Sequence, residues 1–325
     1  MGGGTALKSF AGPGPSGPAK DSPPPDRLTV ENLNAHPGRG SMSMRLAIVL
    51  LTAWLAAAAG ATIHAQEEPG LPPYLADRGE GIPTSLFGTY VGSHEFIVYP
   101  FYEYTKTSAF EYKASELGFA GDTDFLGKTV EQEYLVFLGY GFTDRLAAEL
   151  EVALYAKTSF DKAPDDPSAV PAHLEESGLG DVDMQLRWRW SAETPDRPEM
   201  YSFFELTPPL QKSKVLIGTA DWEASLGFGV VRGFRWGAIT GRAAVAWDGA
   251  DSKLDLGEYA FEYLKRVSPH WRIVATLEGE TDEVSLIGEA QWSFSHIAML
   301  KLNCGFGLTE KAPDIAPEVG VLFRF

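Results

Sequence analysis

The sequence has 325 residues and a formal net charge of −17 at pH 7. This acidic balance argues against a nucleic-acid partner, because phosphate-binding surfaces need clustered Lys and Arg. Cys304 is the only cysteine, which excludes an internal disulfide and a cysteine-rich metal site.

The first segment, residues 1–43, is rich in Gly and Pro and has no hydrophobic period. A chain of this kind cannot bury enough apolar area to offset the entropy lost on ordering. We therefore predict either a disordered segment or sequence upstream of the true translation start. The candidate start codons are Met1, Met42 and Met44.

Residues 44–65 have the layout of a secretory signal peptide. Arg45 supplies the positive charge, a short apolar run follows, and small residues near Ala65 offer a cleavage site. A transmembrane anchor is the alternative, but the run is shorter than the ~18 residues that a membrane helix needs. After cleavage, residues 66–92 are expected to form an N-terminal periplasmic segment.

The stretch ESGLGDVDMQLRWRW, residues 176–190, alternates strictly after its glycines. A phosphate-binding loop would place glycines between a strand and a helix, whereas these glycines precede a strand. We interpret Gly178 and Gly180 as small residues where an external loop enters a β-sheet wall. The strand then has an apolar face and a polar face, namely Val182, Met184, Leu186, Trp188 and Trp190 against Asp183, Gln185, Arg187 and Arg189.

The same period of two recurs to the end of the chain and predicts about twelve strands. Most have about nine to eleven residues, the length that crosses a bilayer at a tilt, and short turns alternate with longer links. We therefore predict an all-β fold, a transmembrane antiparallel up-and-down β-barrel over residues 93–325 with both ends at the periplasm. A soluble periplasmic sandwich is the alternative. The predicted strands are 95–104, 132–142, 146–156, 182–190, 201–208, 222–230, 239–247, 258–266, 271–277, 284–294, 300–308 and 319–325.

Aromatic residues on the apolar faces lie near the strand ends, as in the belts of membrane barrels. One predicted belt contains Tyr140, Phe142, Trp190, Trp271, Phe294 and Phe325, and the other contains Tyr102, Trp222 and Trp247. The chain ends on alternating apolar residues that predict a membrane-insertion signal, namely Val319, Val321, Phe323 and Phe325.

Three pieces of the chain, ESGLGDVDMQLRWRW, YGFTDRLA and EVGVLFRF, are similar to the proteobacterial transporter-like outer-membrane barrels of phenol-degradation meta-pathways. The resemblance covers most of the chain after the signal peptide in layout. It implies a location in the outer membrane of a Gram-negative bacterium and a transport role, without catalytic residues. The implied partners are the lipid bilayer, lipopolysaccharide, the barrel-assembly machinery during insertion, and a small-molecule solute.

The polar faces of the strands are predicted to converge on the barrel interior. They support either a water-filled, mildly cation-favouring pore or a packed lumen in which Glu and Arg satisfy one another. The predicted lumen-lining residues are Glu103, Glu133, Glu149, Glu151, Asp183, Arg187, Arg189, Glu223, Arg242, Glu258, Glu262, Arg266, Arg272, Glu278, Glu289, Lys301 and Arg324.

A lipid hydrolase would need Ser, His and an acid in contact. Neighbours such as Ser93 and His94 point to opposite faces of a strand, and His173 with Ser177 falls in a predicted external loop. The acidic loop 161–166 lacks the spacing of a calcium loop. We predict no catalytic residue, cofactor or metal site.

The sequence therefore favours a porin-like channel for passive passage of small solutes, hydrophobic or aromatic ones included. A closed structural or adhesion barrel with a plugged lumen is the alternative, and an outer-membrane lipid hydrolase is a further one.

Overall fold

A computed structural model describes residues 71–250 and 252–325, so the predictions for residues 1–43 and 44–65 lie outside the described residues. No helix in the described ranges is long and apolar enough to cross a membrane. The strands are β1 (Ile82–Pro83), β2 (Tyr90–Val91), β3 (Phe96–Lys113), β4 (Asp124–Gly141), β5 (Leu146–Asp161), β6 (His173–Gly178), β7 (Val182–Ser191), β8 (Glu199–Thr207), β9 (Glu223–Phe234), β10 (Gly237–Asp248), β11 (Lys253–Arg266), β12 (Trp271–Glu280), β13 (Glu283–Ser293), β14 (Ala298–Gly307) and β15 (Ala316–Arg324).

Strands β3 to β15 form one closed antiparallel sheet. Successive strands pair with one another, except β6 and β7, and β15 returns to pair with β3. Strand β5 pairs with β7 through its first half and with β6 through its last residues, so β6 and β7 share one position in the wall. The wall is therefore a barrel of twelve strand positions, which confirms the predicted fold.

Three strands are much longer than predicted. β3 and β4 have 18 residues each and β5 has 16. The end of β3, the start of β4 and the end of β5 were not predicted, because polar residues interrupt the apolar alternation there. Register shifts near Thr107 and Tyr134 also change the phase of the alternation. Backbone hydrogen bonds continue the strands without an apolar face. The connection between β5 and β7 contains β6, which the sequence did not predict.

The two ends of the barrel differ in their connections. We call one the turn end, because its connections are short and both ends of the barrel chain lie there. The opposite end, the loop end, carries the longest connections. The turn-end connections are 142–145, 192–198, 235–236, 267–270 and 294–297, and the loop-end connections are 114–123, 162–172, 208–222, 249–252, 281–282 and 308–315.

The strand that contains Arg187 shows how the wall is oriented. Trp188 and Trp190 are 47% and 60% exposed, whereas Arg187, which directly precedes Trp188 and points to the other face, is 0% exposed. The outer face is thus apolar and the inner face carries the charge, as in barrels whose outer surface meets lipid. Other exposed aromatic residues of the predicted belts are Phe142, Trp222, Trp247, Trp271 and Phe325.

The seam between β15 and β3 closes the barrel. At its turn end Phe325 N–H donates to Phe96 O over 2.9 Å, and Phe96 N–H donates to Phe325 O over 3.0 Å. β3 pairs with β15 on both sides of Pro100 but not at Pro100 itself, because proline has no N–H to donate. The seam is therefore joined by fewer backbone bonds than its length allows.

Aromatic rings on the inner face lie over glycines of the next strand. Phe203 of β8 pairs with Gly227 of β9, and Tyr201 pairs with Gly229. A Cβ added at either glycine would overlap the facing ring. The absence of a side chain at these two positions is what allows the rings to lie flat against the wall.

We expect Gly227→Val to lower the free energy of unfolding by about 1–3 kcal/mol, the usual cost of overpacking a filled interior. Gly241→Val is the matched control, because a Cβ at Gly241 meets nothing within 4 Å. Urea titration of the protein refolded in lipid vesicles measures both. Equal stabilities for the two variants would contradict the role assigned to the ring–glycine contact.

Candidate functional site

The segment before the first wall strand lies inside the barrel. Residues 77–92, which we call the plug, bond to side chains of β5, β7, β8 and β10 to β15, and only a segment within the ring reaches all of them. Residues 66–92 were predicted to form an N-terminal periplasmic segment, of which residues 66–70 lie outside the described residues. The contacts of residues 77–92 with the wall were not predicted, because the plug strands have only two residues each and show no period.

The plug is a small hairpin. Ile82 pairs with Val91 and Pro83 with Tyr90, and the tip between them is closed by Thr84 N–H donating to Thr89 O over 3.0 Å. Its apolar side chains are buried in the barrel, with Ile82 and Val91 both at 0% exposure. Burial of these residues against the inner wall favours the inserted position.

Gly88 fixes the shape of the plug tip. Its φ of 61° is in the left-handed region that favours glycine. A Cβ here would also come within 2.7 Å of Gln291 Nε2 and 2.8 Å of Val274 Cγ2. The tip therefore requires glycine both for its backbone and for its fit against the wall.

Six basic side chains of the wall donate to backbone carbonyl oxygens of the plug, and we call them the basic clamp. Buried carbonyl groups need such partners, since water does not reach them. The bonds are Arg187 to Pro83 O at 3.0 Å, Arg189 to Gly81 O at 2.9 Å, Arg242 to Ser85 O at 3.3 Å, Arg272 to Arg78 O at 3.4 Å, Lys301 to Phe87 O at 3.2 Å and Arg324 to Tyr90 O at 3.0 Å.

Carboxylates of the wall also bind the plug, by accepting hydrogen bonds from its N–H and O–H groups. Glu149 accepts from Ser85 N at 3.0 Å and from Ser85 Oγ at 2.6 Å, while its other oxygen lies 2.8 Å from Arg187 Nε. Glu262 accepts from Gly88 N at 2.8 Å. The side chains of Glu149 and Arg187 are both almost fully buried, so this pair is removed from solvent screening.

The base of the plug is fastened by an ion-pair group at the turn end. Arg78 lies 2.8 Å from Glu199 and 3.2 Å from Glu193, with all three side chains about 1% exposed. The Arg78 guanidinium also lies over the ring of Tyr90, 5.0 Å from its centre. A buried guanidinium is thus matched by two carboxylates and a ring face.

A belt of carboxylates surrounds the lumen on the loop-end side of the plug, and we call it the acidic band. On β5, for example, Glu149 contacts the plug, and Glu151 is the next inward-facing residue toward the loop end. Nine of the twelve strand positions contribute, through Glu103, Glu133, Glu151, Asp183, Glu205, Glu258, Glu278, Glu289 and Glu318.

The predicted lumen-lining residues fall into these two layers, with two exceptions. Glu149, Arg187, Arg189, Arg242, Glu262, Arg272, Lys301 and Arg324 contact the plug, and Glu103, Glu133, Glu151, Asp183, Glu258, Glu278 and Glu289 belong to the acidic band. Glu223 is the first residue of β9 at the loop end. Arg266 is the last residue of β11 and bonds the plug through its backbone only, since its N–H donates to Asp77 Oδ1.

The predicted set omitted the neutral residues Gln185, Gln291 and Tyr99 and the acids Glu205 and Glu318. Gln291 donates to Phe87 O of the plug, and the Tyr99 hydroxyl donates to Glu318. These residues share the inward phase of the predicted ones, so the alternation alone was the signal that would have found them.

Of the predicted insertion-signal residues, Val319, Val321 and Phe323 lie on β15 and Phe325 follows it directly. Val319 and Phe325 are exposed, Phe323 is half-buried with its ring 6.5 Å from that of Phe325, and Val321 is buried at 6% exposure.

The loop-end candidates for chemistry have structural partners. His173 bonds Asp161 over 2.8 Å. Asp166 accepts from Ser168 N at 2.7 Å and from the Tyr112 hydroxyl at 2.8 Å. Desolvation raises the pKa of Asp166, but the hydrogen bonds from Ser168 and Tyr112 outweigh it and bring the pKa below its ordinary value. These bonds fasten loop 162–172 to the extension of β3.

No protein-family model matches the chain, and no curated protein matches it. Among solved structures, the COG4313 outer membrane channel from Pseudomonas putida F1 is similar, at 16% identity and a TM-score of 0.52, over 76% of this chain and 100% of that one. The KdgM porin in complex with oligogalacturonate scores 0.42 at 8% identity over 70% and 99%, and the translocator domain of autotransporter NalP from Neisseria meningitidis scores 0.41 at 10% over 72% and 89%. The first likeness supports the fold.

Proposed function

We propose that this protein is an outer-membrane channel for small solutes whose passage is closed by its own plug. The closed barrel with an apolar outer face suits a membrane, and the charged inner face suits an aqueous path. The observation that carries the proposal is the plug itself. Because it is bound through side chains rather than as a strand of the wall, it can leave without opening the barrel.

The orientation follows from the topology. In barrels of this type the short turns and the chain ends face the periplasm. The plug then enters the lumen from the periplasmic side, and the acidic band lines the lumen on the extracellular side of the plug. In this proposal the partners are the bilayer with its lipopolysaccharide, and the barrel-assembly machinery during insertion.

A permanently closed structural or adhesion barrel is the second candidate. It is favoured by the number of buried bonds between the plug and the wall, which resemble a fixed packing contact. The two candidates differ in one property, because only a channel conducts when the plug is displaced. Hydrophobic or aromatic solutes would be cargo of the channel, although the charged lining of the lumen suits polar solutes better.

The decisive experiment fixes the plug to the wall or loosens it. In a Cys304→Ser background, Ser85→Cys and Glu149→Cys place two thiols where a 2.6 Å hydrogen bond now joins the side chains. A short bis-thiosulfonate reagent should bridge them. In planar bilayers we expect conductance before bridging, loss of most openings after it, and recovery on reduction. Each single-cysteine variant serves as the control.

Gly88→Val tests the opposite change, because it loosens the plug instead of fixing it. A side chain at Gly88 clashes with the wall and strains the backbone, so we expect open events to become several-fold more frequent. Absence of conductance in both the reduced double variant and Gly88→Val, with folded barrels shown by heat-modifiable gel migration, would favour the permanently closed barrel instead.

A further inference from the structure

Part of the acidic band is paired with basic side chains of the wall. Three of its carboxylates are matched by clamp residues: Glu289 lies 3.4 Å from Lys301 Nζ, Glu278 lies 3.8 Å from Arg242, and Glu258 also pairs with Arg242. These pairs occupy one side of the ring. They also show that ammonium and guanidinium groups fit against the band.

On the other side of the ring, carboxylates of the band accept from neutral donors. Glu103 accepts from Thr105 at 3.2 Å, Glu205 from Gln185 at 2.6 Å, and Glu318 from Tyr99. Neutral donors satisfy an oxygen without cancelling its charge. This side of the band is therefore bonded to neutral donors, in contrast to the ion-paired side.

Glu103 lies on this side of the band. It is 8% exposed, and its pairing partners on the two neighbouring strands are Glu133 and Glu318. Its Oε2 is buried and makes no hydrogen bond. A buried carboxylate oxygen without a partner is costly, so its environment favours a positively charged donor.

Gln185 provides a second sign of an unfilled position. It is not part of the band, is 7% exposed, and donates its amide N–H to Glu205. Its carbonyl oxygen Oε1 is buried and makes no hydrogen bond. An acceptor with no donor on the same wall as the carboxylates points to a ligand that brings N–H groups.

We propose that the acidic band binds small organic cations that carry ammonium or guanidinium groups, with Glu103, Glu151, Glu205 and Gln185 as its acceptors. Such groups donate several N–H bonds and carry the compensating charge. The acceptors lie on β3, β5, β7 and β8, so a ligand with several separated N–H groups suits them. This inference deepens the proposed function by naming a solute class, and it rests on that function for the route to the band.

Spermine is the probe, and calorimetric titration of the full chain in detergent at pH 7 and low salt is the measurement. We expect binding to the native protein and about tenfold weaker binding to Glu103→Gln/Glu151→Gln, since each charge-assisted bond is worth a tenfold change or more. Glu175→Gln/Glu310→Gln is the matched control. It removes two exposed carboxylates and gives the same net charge, so its affinity should stay within about twofold.

MgCl₂ is titrated in parallel. Among residues 71–250 and 252–325, no group of three or more His, Cys, Asp or Glu side chains is spaced to hold one metal ion. We expect weaker binding of magnesium than of spermine. Tighter binding of magnesium, equal spermine affinity in the two double variants, or no spermine binding to the native protein would each overturn the proposal.

Two further measurements keep the test decisive. If Glu103→Gln/Glu151→Gln lacks heat-modifiable gel migration, Glu205→Gln replaces it and should weaken spermine binding by the same reasoning. The bridged Ser85–Glu149 form should still bind spermine, because the band lies on the loop-end side of the plug. Spermine binding to the native protein, with no conductance in the reduced double-cysteine variant or in Gly88→Val, would reject the channel and leave the cation site intact.

Discussion

Arg187→Met is expected to lower the free energy of unfolding by about 3–5 kcal/mol, the cost of removing one partner from a buried ion pair. Methionine keeps much of the length and apolar surface of arginine but leaves the Glu149 carboxylate without its cation at 2.8 Å. It also removes the donor to Pro83 O and the guanidinium that lies over the Phe203 ring at 5.2 Å. Urea titration in lipid vesicles measures the change.

A double-mutant cycle separates the ion pair from the packing. Arg187→Met/Glu149→Gln removes both charges and should be more stable than Arg187→Met alone, because no buried charge is left unpaired. Arg145→Met is the control, since Arg145 is exposed in a turn-end connection and should change stability by less than about 0.5 kcal/mol. A stability of Arg187→Met within that range of the native protein would mean that water enters the site and screens Glu149.

Deletion of Phe325 is expected to reduce the yield of folded barrel several-fold. The deletion removes both backbone bonds to Phe96 at the seam and the ring that stacks on Phe323. Unpaired backbone groups are costly in a membrane, where water cannot replace the lost partner. The measurement is the heat-modifiable fraction in isolated outer membranes at matched expression.

Phe325→Ala separates the two causes of that loss. Alanine keeps both seam bonds and removes only the ring. If the seam bonds carry the effect, Phe325→Ala should assemble nearly as well as the native chain. If a terminal aromatic ring is what the assembly machinery recognises, Phe325→Ala should fail as the deletion does. Native yield from the deletion itself would show that closure does not depend on this residue.

The strands that face lipid along most of their length were predictable from the sequence. The alternation from Trp271 onward specifies β12, because Trp271, Ile273 and Leu277 face outward and the inward residues other than Val274 are polar. β6 has no such pattern in its sequence HLEESG, and it exists because β5 offers a free backbone edge. A strand defined by pairing alone leaves no periodic signal.

The charged residues of the lumen could be listed from their phase, but their grouping could not. Gly88 and Glu262 are 174 positions apart in the chain, and nothing local connects them. Whether an inward arginine meets a carboxylate or a plug carbonyl depends on what occupies the lumen. The sequence indicated either an open pore or a plugged lumen, but nothing in it identified residues 77–92 as the segment that fills the lumen.

The covalent link between the plug and β3 sets how the plug can be displaced. Only residues 93–95 separate the two, and His94 N–H donates to Gly141 O over 2.6 Å, which holds the link against the wall. A blocker on so short a tether has an effective concentration in the millimolar range or above. Its rebinding does not depend on protein concentration. A free peptide of the same sequence would therefore have to reach about millimolar concentration to compete with it.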